Sequence, residues 1–172
     1  MENTRNKLTP EQSNFFNELS NYLDTKLFYY GSVQRPDYIP GKSDIDVDIF
    51  TDNESSTISK LQHFLHIDKT KIKRVLWKMR KNKKLTTGHK INYKNSILIA
   101  EFAIYNEKYK PYILEEHNSK VSLPFYSTWI LNLLKILHYQ LQLLPNSYYI
   151  FLKRKVLNYS LGIMTDDEFV VL

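Results

Sequence analysis

Two stretches decide the fold: Leu27-Phe28-Tyr29-Tyr30-Gly31-Ser32 and Ser43-Asp44-Ile45-Asp46-Val47-Asp48-Ile49-Phe50. The first is a short aromatic and aliphatic run suited to a buried strand, and Gly31-Ser32 stops it. The second alternates polar and apolar residues with period two, the pattern of a half-buried strand. Between them, Val33 to Ser43 contains Pro36, Pro40 and Gly41 and reads as a loop with room for one helical turn. A chain with only 4 glycines places Gly31 and Gly41 in this one region. Consecutive side chains alternate across a strand, so Asp44 and Asp46 project from one face about 6.5–7 Å apart.

The same pattern holds further along the chain. Ile97 to Tyr105 is an apolar central-strand candidate interrupted by one carboxylate, Glu101. Two carboxylates on one strand face and a third from a neighbouring strand suit Mg²⁺, a hard cation that binds through few carboxylates plus waters and phosphates. Gly31 lets the backbone approach a phosphate, and Ser32 adds a hydroxyl and an amide donor.

The remaining elements give an α+β domain with a helical C-terminal part. Thr9-Pro10-Glu11-Gln12 reads as a helix start with a capping box, and the helix runs to about Asp24. Ile58, Leu61, Phe64 and Leu65 mark a second helix capped by Ser55 or Ser56. Lys71 to Met79 and His89 to Lys94 read as strands of a basic hairpin joined by the turn Arg80 to Gly88. After Pro111 the pattern is helical: around Tyr112 to Glu116, then Pro124 to Leu144, then Ser147 to Leu161 with Gly162 as stop. Ile130, Leu133, Leu134, Leu137, Leu141 and Leu144 form a stripe expected in the core. The 172 residues read as a single domain, with an α/β core over 9–106 and a helical region over 107–172.

Composition narrows the chemistry. With no Cys there is no disulfide framework, thiolate zinc site, iron–sulfur cluster or cysteine nucleophile, so any metal is held by oxygen or imidazole. His63 and His66, three apart on a helix, are expected to be ordinary surface or partly buried residues. Asn132, Lys135, His138, Gln140 and Gln142 interrupt the longest apolar stretch, which therefore cannot span a membrane. The polar N-terminus lacks a signal-peptide core, and a soluble cytoplasmic protein is expected. The formal charge of +6 is unevenly placed: Lys69 to Ala100 holds 11 Lys/Arg and no Asp or Glu, leaving 13 Lys/Arg against 18 Asp/Glu elsewhere. Trp77 and Tyr93 are interleaved with this block, a combination that suits nucleic acid. Lys71, Lys73, Arg74 and Lys78 are the candidate contacts. Lys153-Arg154-Lys155 is read as a solvated helix face, with contact to phosphates as the alternative.

Gly31-Ser32-Val33-Gln34-Arg35 followed by Ser43-Asp44-Ile45-Asp46-Val47 resembles the signature of the DNA polymerase beta-like nucleotidyltransferase superfamily. The resemblance covers residues 27–50 well and 97–104 loosely. It implies a nucleotidyltransferase-type mixed β-sheet flanked by helices, two Mg²⁺ ions, with Mn²⁺ as a substitute, and transfer of a nucleoside monophosphate from an NTP, in the first instance ATP, to an acceptor hydroxyl. It further implies that Gly31, Ser32, Arg35 and Lys42 hold the nucleotide. Asp44, Asp46 and Glu101 would be the catalytic, metal-binding carboxylates, with Glu101 accepting the acceptor's proton. Pro36 stands where many members have Gly, and Glu101 where Asp is commoner.

Other readings stay open at this stage. The aspartates also fit an acidic edge strand protected by charge, and Asp46 can be framed with Asp48 instead of Asp44. Asp44/Asp46 is preferred because Asp48 lies about 13 Å from Asp44 along the strand. Glu101 can equally be a buried acid paired with a lysine of the hairpin. The acceptor is open among nucleic acid, a small molecule and a protein. The alternatives to catalysis on a free acceptor are a non-catalytic nucleic-acid-binding module using the hairpin over 69–94, and an antitoxin-like enzyme modifying a protein partner.

Overall fold

A computed structural model describes residues 2–79, 83–162 and 169–171. Helix α1 (Pro10–Leu23) begins with the expected capping box: Gln12 N donates to Thr9 Oγ1 at 3.3 Å and Thr9 N to Gln12 Oε1 at 3.2 Å. Strand β1 (Leu27–Tyr30) runs into a 3₁₀ turn over Gly31–Gln34, and β2 (Ile45–Thr51) follows the loop. Helix α2 (Glu54–Leu65) is capped by Asn53, whose Oδ1 accepts from Ser56 N at 3.0 Å. The sequence-based choice of Ser55 or Ser56 fails because both lie inside the first turn, too late to reach its amides.

Strands β3 (Ile72–Lys78), β4 (Leu85–Lys94) and β5 (Ile99–Asn106) come next, then helices α3 (Lys110–Ser119), α4 (Phe125–Lys135) and α5 (Asn146–Leu161), and β6 (Phe169–Val171). Strand β4 starts at Leu85, earlier than the expected His89, and Met79 N donates to Lys84 O at 2.8 Å. Arg80, Lys81 and Asn82 of the expected turn lie outside the described residues.

The strands form one sheet in the order β1-β2-β5-β4-β3-β6. Among the described residues only β2 and β5 run parallel, and the other pairs are antiparallel. One face carries Ile45, Val47, Ile49, Phe102, Ile104 and Ile91, which α1 and α2 cover with Phe16, Leu19, Leu61 and Leu65. The opposite face carries Phe28, Phe50, Tyr105 and Trp77, covered at one end by Ile113 of α3. Gly88 makes that second packing possible: a Cβ there would collide with the Tyr105 ring lying across it. The carboxylates singled out from the sequence stand at the other end of this face.

The C-terminal region departs from expectation in two ways. It is not purely helical, because β6 returns to pair with β3 (Val75 with Val171). The stripe from Ile130 to Leu144 is only partly core: Leu134 is buried, whereas Ile130, Leu133 and Leu141 are 39%, 44% and 55% exposed. Helix α4 instead buries Ser127, Leu131, Leu134 and Lys135, passes through a π-helical turn over Ile136–Gln140 and ends before Gln142, whose φ is +52°.

Lys135 sets the rotation of that helix. Its ammonium lies 3.0 Å from Asp37 Oδ2 and donates to Ser43 Oγ at 3.1 Å, while Arg35 Nε donates to Asp37 Oδ1 at 2.8 Å. Burial works to raise the Asp37 carboxyl, but Arg35 and Lys135 overcome it and hold it below the ordinary carboxylate range. Burial also pulls the Lys135 ammonium down, against the attraction of Asp37. The ion cluster therefore fixes geometry more than it adds stability, as is usual for ions taken out of water. Among the described residues no helix is long and apolar enough to cross a membrane.

Candidate active site

Strand register builds the site. Tyr30 of β1, Asp46 of β2, Glu101 of β5 and Asn92 of β4 stand side by side in one row across the sheet. Strands lie about 4.8 Å apart, so the carboxylates of Asp46 and Glu101 are neighbours although 55 residues separate them in the chain. Asp44, just before β2, stands at the open end of the same face. Asp48 is one row deeper, opposite Phe28 and Ala103.

Gly31 closes the row from the side. Its φ of +68° lies in the left-handed region, and a Cβ on it would collide with the Asp46 carboxylate. Ser32 is buried and its hydroxyl donates to Asp44 O at 3.2 Å, tying the turn to the mouth of β2.

The electrostatics are those of crowded like charges with cations around them. Burial, then Asp44, then Glu101 push the Asp46 carboxyl well above its ordinary value. Lys90 lies 2.5 Å from Glu101 Oε1, and Lys153 of α5 lies 3.6 Å from Asp44 Oδ1. Tyr30 donates its hydroxyl to Glu101 Oε1 at 3.1 Å. Burial and the surrounding carboxylates, Glu101 first, keep that phenol protonated and a donor.

These groups line a cleft of about 550 Å³ between the sheet face and α5, together with Arg35, Trp77, Tyr105, His117, Lys120 and Arg154. A second lobe of about 410 Å³ shares Asp44, Lys153 and Arg154 and is lined by Ile99, Tyr139, Asn146 and Tyr149.

Of the residues singled out from sequence, Gly31, Ser32, Arg35, Asp44, Asp46 and Glu101 meet in this cleft. Arg35 enters it with its guanidinium already engaged by Asp37. Lys42 does not line the cleft; it is exposed and donates to Tyr139 O at 3.4 Å. Lys71 and Lys73 are exposed at the sheet edge beyond Lys90, while alternation puts Arg74 and Lys78 of β3 on the opposite face. Tyr93 is also on that opposite face, stacked on Phe15 at 6.0 Å, and Trp77 is only 5% exposed. The expected aromatic platform beside the basic block is therefore packing.

Several cleft residues had no signal in the sequence. His117 Nε2 lies 2.9 Å from Asp48 Oδ2, and its ring stacks on Tyr30 at 3.9 Å and lies 5.3 Å from Trp77. A lone histidine on a helix 69 residues from its aspartate carries no pattern. Lys153 and Arg154, read as a solvated face, point into the cleft.

As the side chains stand, no three of His, Cys, Asp or Glu among the described residues are gathered as metal ligands. The chemistry of the donors nonetheless fits a hard divalent cation. Asp44, Asp46 and Glu101 offer only oxygen, the donor type such a cation takes, and burial with the neighbouring Asp44 and Glu101 raises the Asp46 carboxyl.

A nucleotidyltransferase domain model matches residues 10–121. The chain belongs to this nucleotidyltransferase family. The crystal structure of conserved protein GrpB from Enterococcus faecalis is similar at 18% identity and a TM-score of 0.50, covering 88% of this chain and 92% of that one. A chain of the GLD-2/RNP-8 complex aligns at 13% identity and a TM-score of 0.37, covering 91% of this chain and 64% of that one. A search of curated proteins found no match. The nucleotidyltransferase family lends its general activity to this chain, and the GrpB likeness speaks to the fold alone.

Proposed function

We propose that this nucleotidyltransferase transfers a nucleoside monophosphate from an NTP, ATP in the first instance, to an acceptor hydroxyl. What carries this is the row Asp46–Glu101 with Asp44 at its open end, facing the Gly31-Ser32 turn inside one cation-lined cleft. The Gly31 and Ser32 amides, Lys153 and Arg154 are placed to hold the polyphosphate, because donors at a turn and flexible ammonium groups both match phosphate oxygens. The acceptor oxygen attacks the α-phosphorus, its proton passes to the Glu101 carboxylate, and the bond to the β-phosphate oxygen breaks to release pyrophosphate. Tyr30, hydrogen-bonded to Glu101, orients that carboxylate toward the acceptor.

Asp44, Asp46 and Glu101 would hold Mg²⁺, which when bound neutralises phosphate charge and activates the attacking oxygen. Lys90 and Lys153, the counter-ions of two of these carboxylates, must then turn to the phosphates.

One observation favours a second reading, a binding module without transfer: Lys90 and Lys153 already stand on two of the three carboxylates. Incubation with α-labelled NTPs, Mg²⁺ and a panel of acceptors, followed both as label joined to the acceptor and as pyrophosphate released, separates the two. Transfer predicts pyrophosphate release that falls at least about 100-fold in Asp44→Ala/Asp46→Ala, the scale on which lost electrostatic stabilisation of a transition state is felt. Equal release by wild type and the double variant sinks the proposal.

A further inference from the structure

We propose that the outer face of α4 is the surface on which two copies of this chain pair, helix against helix in the antiparallel sense.

The face follows from the side of α4 that the rest of the chain uses. Ser127, Leu131, Leu134 and Lys135 turn inward. Lys135 is fixed by Asp37, and Ser160 Oγ of α5 donates to Ser127 Oγ at 2.6 Å. The helical period then sends Phe125, Trp129, Leu133 and Ile136 outward in one stripe, with Tyr126 and Ile130 alongside. All six are exposed, Phe125 at 85% and Trp129 at 64%. Apolar side chains scattered singly over a surface are ordinary, whereas a contiguous patch marks a contact.

Charge selects a second copy as the occupant. Val121 to Leu152 holds one charged residue, Lys135, although 24% of the chain is charged. Lys135 is buried on Asp37. Two chains of net charge +6 repel one another where their lysines meet, and α4 lets them touch without opposing like charges. A helix that lies on a membrane joins its apolar face to a cationic polar face. The reverse face of α4 is packed into this protein with its cation already paired, so the helix offers a bilayer no charged flank.

The order of side chains selects the antiparallel sense. The first half of the stripe is aromatic, Phe125, Tyr126 and Trp129, and the second is aliphatic, Ile130, Leu133 and Ile136. In a two-fold pair, if residue i touches j of the partner, j touches i. An axis level with residue 131 sets Trp129 against the partner's Leu133 and Tyr126 against the partner's Ile136. Each ring then meets a smaller branched side chain, and the two helix dipoles oppose. A parallel pair would crowd ring on ring and leave the aliphatic half underfilled.

The area is of the right order. At their exposures the three aromatics offer about 400 Å² and the three aliphatics about 200 Å², against about 800 Å² per partner in an interface of standard size. Half-buried Asn132 and Leu137 flank the six at helical spacing and add to the contact. An interface at the lower end of the standard range suits a dissociation constant in the micromolar region.

Sedimentation equilibrium of the full chain from about 0.1 to 100 μM, a span that brackets a micromolar constant, should show a mass rising from 20.5 kDa to twice that value. Trp129→Glu and Leu133→Lys, each alone, should weaken association at least about 30-fold, the scale for losing an anchor at the centre of an interface. Leu85→Glu, an equally drastic change at an exposed leucine of the hairpin, should leave it within about twofold, as for a site outside the contact. Mixing the Trp129→Glu and Leu133→Lys chains should restore a dimer. One contact of that mixed pair is Glu on Lys, and the other keeps its native Leu133 and Trp129. The restored dimer also shows that both variants are folded. In the separated chain this face meets only solvent, so the same substitutions should leave single-chain unfolding nearly unchanged.

Wild type that keeps the mass of one chain throughout overturns the proposal, as does a dimer that survives Trp129→Glu and Leu133→Lys. Variants that stay single when mixed overturn the antiparallel pairing. A wild type that stays single but sediments with phosphatidylcholine/phosphatidylglycerol vesicles, and loses this with Trp129→Glu, assigns the face to a membrane instead and overturns the second copy. None of these outcomes bears on nucleotide transfer.

Discussion

Gly31 meets two demands at one position: a left-handed backbone and a bare Cα against which the Asp46 carboxylate rests. Gly31→Ala should therefore lower stability by about 2 kcal/mol, since a side chain forced into that region costs about 1–3 kcal/mol, seen as a fall in Tm of roughly 4–8 °C for a chain of this size. It should also abolish nucleotide transfer, because relief of the collision displaces a carboxylate of the row. Tyr30→Phe isolates a gentler effect. It keeps the ring stack on His117 and removes only the hydroxyl that holds Glu101, so kcat should fall about tenfold, worth about 1.4 kcal/mol, with KM for the NTP and Tm unchanged. A Tyr30→Phe enzyme with full kcat would show that the hydroxyl does not position the carboxylate.

Helix α4 shows at the element scale which parts of the fold the sequence could announce. Strand β2 was legible because alternation with period two states directly which side chains share a face, and β5 because one carboxylate broke an apolar run. The helix gave an equally strong periodic signal, but hydropathy reports that a stripe exists and not which flank finds a partner. Lys135 looked like an interruption of the stripe and is in fact among its most buried members, because its partner Asp37 lies 98 residues away on the loop before β2. His117 and Asp48 escaped for the same reason, and β6 because three residues are too few to carry a pattern. Two leucines test the observed rotation. Leu134→Ala at a buried site should cost about 2–4 kcal/mol, while its neighbour Leu133→Ala, 44% exposed, should stay within about 0.5 kcal/mol. Urea unfolding with an unchanged slope would read both, and a reversed order would contradict the packing.

Over the whole molecule, the Arg35–Asp37–Lys135 cluster makes stability depend on pH with a definite sign. Asp37 has a folded pKa below its unfolded value of about 3.9. Its contribution is therefore complete above about pH 4 and is lost as pH falls through the lowered folded value. Thermal melts from pH 7 to 2 should show an acid-side loss that is smaller in Asp37→Asn, a variant already less stable at neutral pH. Lys135→Met leaves the Asp37 charge to Arg35 alone and should cost about 3 kcal/mol, the scale for removing one partner of a buried pair.

That cluster also bears on how such a chain can be divided or recombined. The stretch recognisable by family ends at residue 121, before Lys135, yet the loop entering β2 is fastened by Lys135 from beyond that boundary. Residues 1–121 expressed alone should lose the single cooperative melt of the full chain. Helices grafted from a relative should restore it only when they carry a cation at the position of Lys135, the partner of Asp37.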